Sequence, residues 1–265
     1  MLRVVVSGAA GRMGRTVTAA VCRANDLELV GAVDRRQVGE DAGTLAGLDP
    51  VGVPVGGDLD GVLAWARPDV VIDFTAPSAV AANLHTAIRH LVCPVVGTTG
   101  LSDSDLEEVR RCCAEKRLGC VIAPNFALGA VLMMRLAVLV APHMPQVEII
   151  ELHHDQKVDA PSGTAVKTAE LLAQARARAG EGPGPEILPG ARGASHEGIR
   201  IHSVRLPGLM AHQEVIFGGL GQTLTIKHDS ISRESFVPGI LLAVRKVTRL
   251  SGVVYGLEHL LFDQE

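Results

Sequence analysis

The sequence predicts an α/β fold built on a doubly wound parallel sheet, joined to a second α+β domain with a mixed sheet. Three observations predict it. Short valine-rich runs alternate with stretches of helical periodicity through the first 125 residues, the pattern of a parallel sheet with right-handed crossovers. A glycine run separates the first such strand from the first helix. Farther along, three strand-like runs follow one another with no helix between them, which calls for antiparallel or mixed pairing.

Leu2 to Ser7 is a short apolar run that stops at Gly8. From Gly11 to Arg23 the pattern turns helical, with Met13, Val17 and Val21 stepping four residues apart along one face. Leu27 to Val33 is strand-like again and ends on Asp34, completing one βαβ unit. Residues 35 to 57, rich in Gly, Pro and Asp, read as a loop. Asp69 to Phe74 then reads as a strand, Ser78 to His90 as a helix and Pro94 to Gly97 as a strand. Ser102 opens another helix as a cap, with acidic residues in its first turn. Gly119 to Ala123 is the next strand.

After residue 125 the character changes. Val147 to His153 reads as a strand, Ser162 to Arg178 as a helix, and Gly180 to Ser195 as a Gly/Pro-rich loop. The three closely spaced strands are Ile199 to Arg205, Gln213 to Phe217 and Thr223 to His228. Arg233 to Leu250 reads as a helix and Val253 to Leu261 as a terminal piece. No internal repeat or low-complexity segment interrupts this order.

Composition narrows the class. The 265 residues suit two domains or one large α/β unit, and a hydrophobic share of 47% excludes disorder. Only 3% are aromatic, so the core must be aliphatic, as in a buried parallel sheet. A net charge of −4 offers no basic stripe for nucleic acid. Five cysteines with no C-x-x-C pair point to reduced, buried thiols, and to neither a disulfide framework nor a zinc site. Met1 leads straight into a strand, and the longest apolar stretch, Val131 to Pro142, contains Arg135 and is too short for a bilayer. A cytoplasmic protein with no membrane partner is expected.

Gly8-Ala9-Ala10-Gly11-Arg12-Met13-Gly14 places three glycines between strand and helix, with an acidic residue, Asp34, 20 positions beyond the last. Such glycines let backbone N–H groups approach a pyrophosphate at a helix start, so a dinucleotide is expected here. Asp34 suits an adenosine ribose and favours NADH, whereas Arg35 and Arg36 suit the extra phosphate of NADPH. Use of both cofactors and a pair of simply solvated arginines both stay open. Phe74-Thr75-Ala76-Pro77 and Gly97-Thr98-Thr99-Gly100 also follow strands, where loops either line a ligand crevice or merely turn the chain.

The most informative stretch is Glu151-Leu152-His153-His154-Asp155-Gln156-Lys157-Val158-Asp159-Ala160-Pro161-Ser162-Gly163-Thr164-Ala165. Paired histidines beside a lysine bring a group titrating near neutrality next to a fixed positive charge. Pro161-Ser162-Gly163-Thr164 has the form of a helix start with free N–H groups, suited to a carboxylate-bearing substrate. The histidines read alternatively as core residues or metal ligands, although no further His or Cys stands at ligand spacing. Ser162 reads alternatively as a cap alone.

These runs, with Ala123-Pro124-Asn125-Phe126, resemble the dihydrodipicolinate reductase family, in order and across essentially the whole chain. The His153 to Thr164 segment is the specific part of the match. The resemblance implies a Rossmann-like domain of residues 1–125 and 234–265, with a substrate-binding and oligomerisation domain inserted at 126–233. It implies NADH- or NADPH-dependent reduction of a small cyclic dicarboxylate in lysine and diaminopimelate biosynthesis, by a homotetramer. By position, His153 matches the proton donor and Lys157 its assistant, with His154, Gly163, Thr164 and Arg233 on the substrate. Gly8, Ala9, Ala10, Gly11, Arg12, Met13, Asp34 and Arg35 match cofactor contacts, as do Phe74, Thr75, Gly97, Thr98, Thr99, Ala123, Pro124, Asn125 and Phe126. No metal is implied.

The chain departs from the family at two positions. Ala76 stands where some members carry an arginine for the NADPH phosphate, which favours NADH, and Ala127 stands where a serine is usual. Two rival readings are a different Rossmann enzyme, such as a semialdehyde or homoserine dehydrogenase, and a non-catalytic nicotinamide sensor. A phosphorylating semialdehyde dehydrogenase needs a catalytic cysteine, and every cysteine precedes the second domain. The second sits poorly with an intact His153, Lys157 and Thr164.

Overall fold

The valine-rich runs become buried strands in the computed structural model, which describes residues 1–177 and 186–262. The chain forms two units, Met1–Phe126 with Phe236–Glu265, and Ala127–Ser235. The first begins with β1 (Leu2–Ser7), α1 (Arg12–Arg23), β2 (Leu27–Val33), α2 (Ala42–Leu45), β3 (Val55–Gly56) and α3 (Leu59–Ala66). It continues through β4 (Val70–Asp73), α4 (Pro77–Arg89), β5 (Cys93–Val96), α5 (Asp103–Lys116) and β6 (Gly119–Ile122). The second holds α6 (Leu128–Val140), β7 (Gln146–His153), α7 (Gly163–Ala175), β8 (Ala194–His196), β9 (Ile199–Arg205), β10 (Ala211–Gly219) and β11 (Gln222–Ser230). A single 3-10 turn (Arg233–Phe236) leads back to α8 (Val237–Val247), β12 (Gly252–Tyr255) and α9 (Leu257–Phe262).

In the first unit seven strands lie in the order β12-β6-β5-β4-β1-β2-β3, all paired in parallel. β4, β5 and β6 are buried along their whole lengths, as expected when helices cover both faces. The chain passes from β1 outward to β2 and β3, then crosses to β4 on the other side of β1. A ligand crevice belongs at that reversal, outside the carboxyl ends of the strands. The predicted cap of α5 is present as a capping box, with Ser102 and Asp105 satisfying each other's backbone N–H groups.

Several sequence expectations need correction. Residues 35–57 are not all loop, because the Asp41 carboxylate accepts N–H groups from Thr44, Val51, Gly52 and Val53. One side chain thereby caps α2 and turns the chain into β3, which pairs with β2. The segment after it is α3, capped by Asp58 with Leu59, Leu63 and Ala66 buried. α7 stops at Ala175 rather than Arg178: Arg176 turns extended, and its guanidinium donates to the Pro145, Glu197 and Gly198 carbonyls. The loop expected at Gly180 to Ser195 lies in part outside the described residues, and Ala194 and Ser195 belong to β8. The helix expected from Arg233 to Leu250 is a 3-10 turn followed by α8, whose first turn accommodates Pro238. The terminal piece contributes the seventh strand and α9. All five cysteines are free, but only Cys93, Cys113 and Cys120 are buried, while Cys22 and Cys112 are half-buried.

The second unit's sheet runs β11-β10-β7-β9-β8, mixed as expected, with β7–β9 parallel and the other pairs antiparallel. One face packs on α6 and α7 through Val147, Ile149, Ile199, Ile201, Val215 and Phe217 against Met133, Ala137, Ala169 and Leu172. Side chains alternate along a strand, so this face continues into Glu151 and His153 on β7, Ser203 and Arg205 on β9, and Gln213 on β10. The same surface is apolar at one end and polar at the other. That change of character lies where the informative segment begins.

Candidate active site

In the first unit, the turn after β1 is shaped by glycine. Gly8 has φ +83°, and a Cβ there would lie 2.3 Å from the Phe74 carbonyl oxygen. A Cβ on Gly14 would lie 1.9 Å from the Gly8 carbonyl oxygen, so only hydrogen lets α1 start this close to the turn. Gly8 and Ala9 donate their N–H groups to the Val33 carbonyl, and Ala10 donates to Asp34 Oδ2 at 3.0 Å. Asp34 Oδ1 also accepts the Arg36 N–H, and the Arg36 guanidinium lies 3.8 Å from it. Arg35 is exposed. The first turn of α1, Arg12 and Met13, presents N–H groups that no helix can use internally.

Beneath the next two loops lies a polar knot. Buried Asp73, the last residue of β4, accepts the Thr75 N–H, the Thr75 and Thr98 hydroxyls and the Asn83 amide at 2.7–3.1 Å. Thr98 Oγ1 also accepts the Thr75 N–H at 2.8 Å. The strand-ending runs that carry Phe74, Thr75, Gly97 and Thr98 are thus bound to one carboxylate. Phe74 packs on buried Phe126 with ring centroids 6.1 Å apart, and a Cβ on Gly97 would strike the Phe74 ring at 2.1 Å. Ala123 follows β6 and donates its N–H to the Val96 carbonyl; Thr99 and Pro124 are exposed, and Asn125 is half-buried.

In the second unit, Glu151 is the hub. Its side chain is 0% exposed and accepts two hydrogen bonds from Arg205 at 2.7 and 2.8 Å, with the Ser162 N–H at 3.2 Å. His153 Nδ1 lies 2.5 Å from Glu151 Oε2. Burial alone would raise the carboxyl; the bonds from His153, Arg205 and Ser203 overcome that and hold its pKa at about 2. Arg205 also donates to the Asp159 carbonyl, clamping the loop between β7 and α7. Ser162 caps α7 by accepting the Ala165 N–H, so the cap reading holds, and its own N–H ties that helix start to Glu151.

His153 is 15% exposed and Lys157 20%. Lys157 Nζ reaches both oxygens of Asp159, at 2.6 and 2.8 Å, and holds that carboxyl below its ordinary range. Gly163 and Thr164 form the first turn of α7. His154 opens the turn that closes with the Lys157 N–H on its carbonyl, and Arg233 lies on the 3-10 turn. Among the described residues, neither the His154 nor the Arg233 side chain is hydrogen-bonded to the Glu151 network. No group of three or more His, Cys, Asp or Glu that could hold a metal ion is found among the described residues.

The chain as a whole has known relatives. A family model described as the N-terminus of dihydrodipicolinate reductase matches residues 2–126, and its C-terminal companion matches residues 129–261. The chain belongs to the dihydrodipicolinate reductase family. A 4-hydroxy-tetrahydrodipicolinate reductase from Moorella thermoacetica is 57% identical over 98% of each chain. One from Geobacillus kaustophilus is 51% identical over 98% of this chain and all of that one. Among solved structures, dipicolinate-bound dihydrodipicolinate reductase from Paenisporosarcina sp. TG-14 superposes with a TM-score of 0.87 at 44% identity, covering 98% of this chain and 99% of that one. Membership of the dihydrodipicolinate reductase family makes the chain an oxidoreductase on a Rossmann-type sheet, and it rules out the semialdehyde dehydrogenase alternative.

Sequence reasoning missed five residues that organise these loops: Asp73 and Asn83 in the first unit, and Glu151, Arg205 and Asp159 in the second. Asp73 closes an otherwise apolar V-V-I-D run, and Glu151 sits in phase with Val147 and Ile149. A carboxylate where the pattern calls for a hydrophobe was the available signal. Asp159 stood inside the informative segment without a role of its own, and for Arg205 and Asn83 there was no signal.

Proposed function

We propose that this enzyme reduces 4-hydroxy-tetrahydrodipicolinate (dihydrodipicolinate) to tetrahydrodipicolinate, in lysine and diaminopimelate biosynthesis, with NADH or NADPH as reductant. One observation carries the reading: His153 and the α7 start are held by a single buried carboxylate, Glu151, with Lys157 on the loop between them, in a chain matching a dipicolinate-bound reductase along its length. The nucleotide fits the first unit because Gly8 and Gly14 leave no room for a side chain and set the backbone at the strand end. Asp34 would hold the ribose. Arg12, Met13, Phe74, Thr75, Gly97, Thr98, Thr99 and Ala123 to Phe126 would surround the rest. When bound, the reduced nicotinamide supplies the hydride.

The protein's own groups would do the remainder. Lys157 is already paired with a carboxylate, that of Asp159, and a substrate carboxylate offers it the same partner. Gly163 and Thr164 at the N-terminal end of α7 would take that carboxylate too, with His154 and Arg233 completing the contacts. Fixing the substrate this way removes rotational freedom from the barrier. His153 would supply the proton. Asp34 accepts two backbone N–H groups and so is itself firmly placed, which suits NADH; exposed Arg35 and Arg36 suit NADPH. Both cofactors are proposed to serve.

No helix among the described residues is long and apolar enough to cross a membrane, and a cytoplasmic homotetramer is proposed. Support for self-association comes from the sheet face turned away from α6 and α7, where half-exposed Ile150, Leu152, Val204 and Ile216 lie together. The deciding experiment mixes purified protein with enzymatically generated substrate and follows NADH and NADPH loss separately. Both should be consumed, and His153→Gln should lower kcat by about 10²–10⁴-fold. No turnover with either cofactor, or an unchanged kcat in the variant, refutes the reading. Light scattering during size exclusion tests the tetramer.

A further inference from the structure

We infer that Glu151 is a positioning residue: it fixes the His153 imidazole with its proton on Nδ1, leaving Nε2 as the nitrogen that passes a proton to substrate, while Arg205 holds the carboxylate in place. The inference deepens the proton-donor role proposed for His153 and rests on it.

The geometry argues for it in three steps. An ionised carboxylate has no proton to give, so at 2.5 Å the Nδ1 side of the ring must be the donor. Glu151 is ionised because three other hydrogen bonds reach it, two from Arg205 and one from the Ser162 N–H. The carboxylate cannot swing away, since Arg205 is pinned in turn to the Val204 and Asp159 carbonyls. Register makes this rigid. His153 stands opposite Arg205, and Glu151 opposite Ser203, on the parallel pair β7–β9. Three side chains on one sheet face thus lock the ring plane before substrate arrives.

Proton balance follows directly. The imidazolium gives its Nε2 proton to the substrate, the ring is left neutral with Nδ1–H still donated to Glu151, and Nε2 regains a proton from solvent. Glu151 remains ionised throughout and never exchanges a proton. A neutral ring without this partner is free to carry its proton on Nε2, where it has no lone pair to take up the next one.

The test reads the proton and the kinetics separately. Solid-state ¹⁵N spectra of histidine-labelled protein, with His153 assigned by its absence in His153→Gln, should show a pyrrole-type Nδ1 and a pyridine-type Nε2 once the ring is neutral. Glu151→Gln, equal in shape, should lower kcat by about tenfold or more with KM changed by less than about threefold. In the His153→Gln background it should lower kcat by less than about twofold, because its effect runs through the ring. A wild-type spectrum with the proton on Nε2 overturns the inference, even if Glu151→Gln fails to fold. So does an equal kcat loss from Glu151→Gln in both backgrounds, which would make Glu151 merely structural. An unchanged kcat in His153→Gln instead removes His153 itself from proton transfer, a failure distinct from these two.

Discussion

Replacing Arg205 with methionine should destabilise the second unit in a way that depends on pH. The Glu151 carboxyl titrates at about 2 in the fold against an ordinary 4.5. Its ionised form therefore stabilises the fold above about pH 4.5, and that support is lost as pH falls toward 2. At about 1.4 kcal/mol per pH unit of difference, it amounts to roughly 3 kcal/mol at pH 7. Methionine keeps the aliphatic stem but removes two of the hydrogen bonds that hold the carboxylate ionised. Removing one partner of a buried pair costs about 3–5 kcal/mol by general experience, which agrees. Urea unfolding at pH 7 should therefore show a loss of up to about 5 kcal/mol, roughly 3 of it from the carboxylate. A part tied to the Val204 and Asp159 carbonyls, about 1 kcal/mol per bond, does not vary with pH. The rest should shrink by roughly a quarter at pH 4 and by more than half at pH 3. A difference between wild type and variant that stays constant or widens on acidification refutes the electrostatic account and leaves Arg205 a packing residue.

Three further changes have definite outcomes. Gly14→Ala puts a methyl 1.9 Å from the Gly8 carbonyl oxygen, so NADH binding measured by fluorescence titration should be lost and the melting temperature should fall by about 5 °C or more. Asp73→Ala strands the buried Thr98 hydroxyl and the Asn83 amide; urea unfolding should show a loss of about 2–4 kcal/mol, and KM for the dinucleotide should rise. Ser162→Ala removes the cap of α7 but keeps the N–H that Glu151 accepts, so chemical denaturation should report a loss of about 1 kcal/mol with kcat nearly intact.

The parallel sheet was legible because each of its central strands is buried on both faces and so writes a continuous apolar run. β4, β5 and β6 are of this kind, and β1 and β2 become so beyond Arg3 and Leu29. The elements that escaped are those whose stability comes from a side chain rather than a pattern. α2 and β3 exist because Asp41 gathers N–H groups from up to 12 residues away, and nothing in a Gly/Pro-rich stretch announces that. β12 is only four residues long and half-buried; its strand identity comes from pairing with β6, a partner far off in sequence. At α7 the start was legible in Ser162, whereas the end depends on where Arg176 finds its three carbonyls.

The candidate site divides along the same line. His153, Lys157, Gly163 and Thr164 fall within twelve residues, so spacing alone suggested that they act together. Arg205 is 54 residues from Glu151, and only the register of β7 against β9 brings the two face to face. No periodicity in a single chain encodes that register. Glu151 is different, because its strand states the problem openly: Val147, Ile149 and Glu151 share one buried face, and a carboxylate in the third place costs several kcal/mol unless it is fully hydrogen-bonded. A fold that accepts such a cost two residues from a histidine must recover it from partners, and every partner found here also constrains that histidine or the loop beside it. The buried charge is thus better explained by the placement of His153 than by stability, since a hydrophobe at position 151 would satisfy the strand but leave the ring unheld.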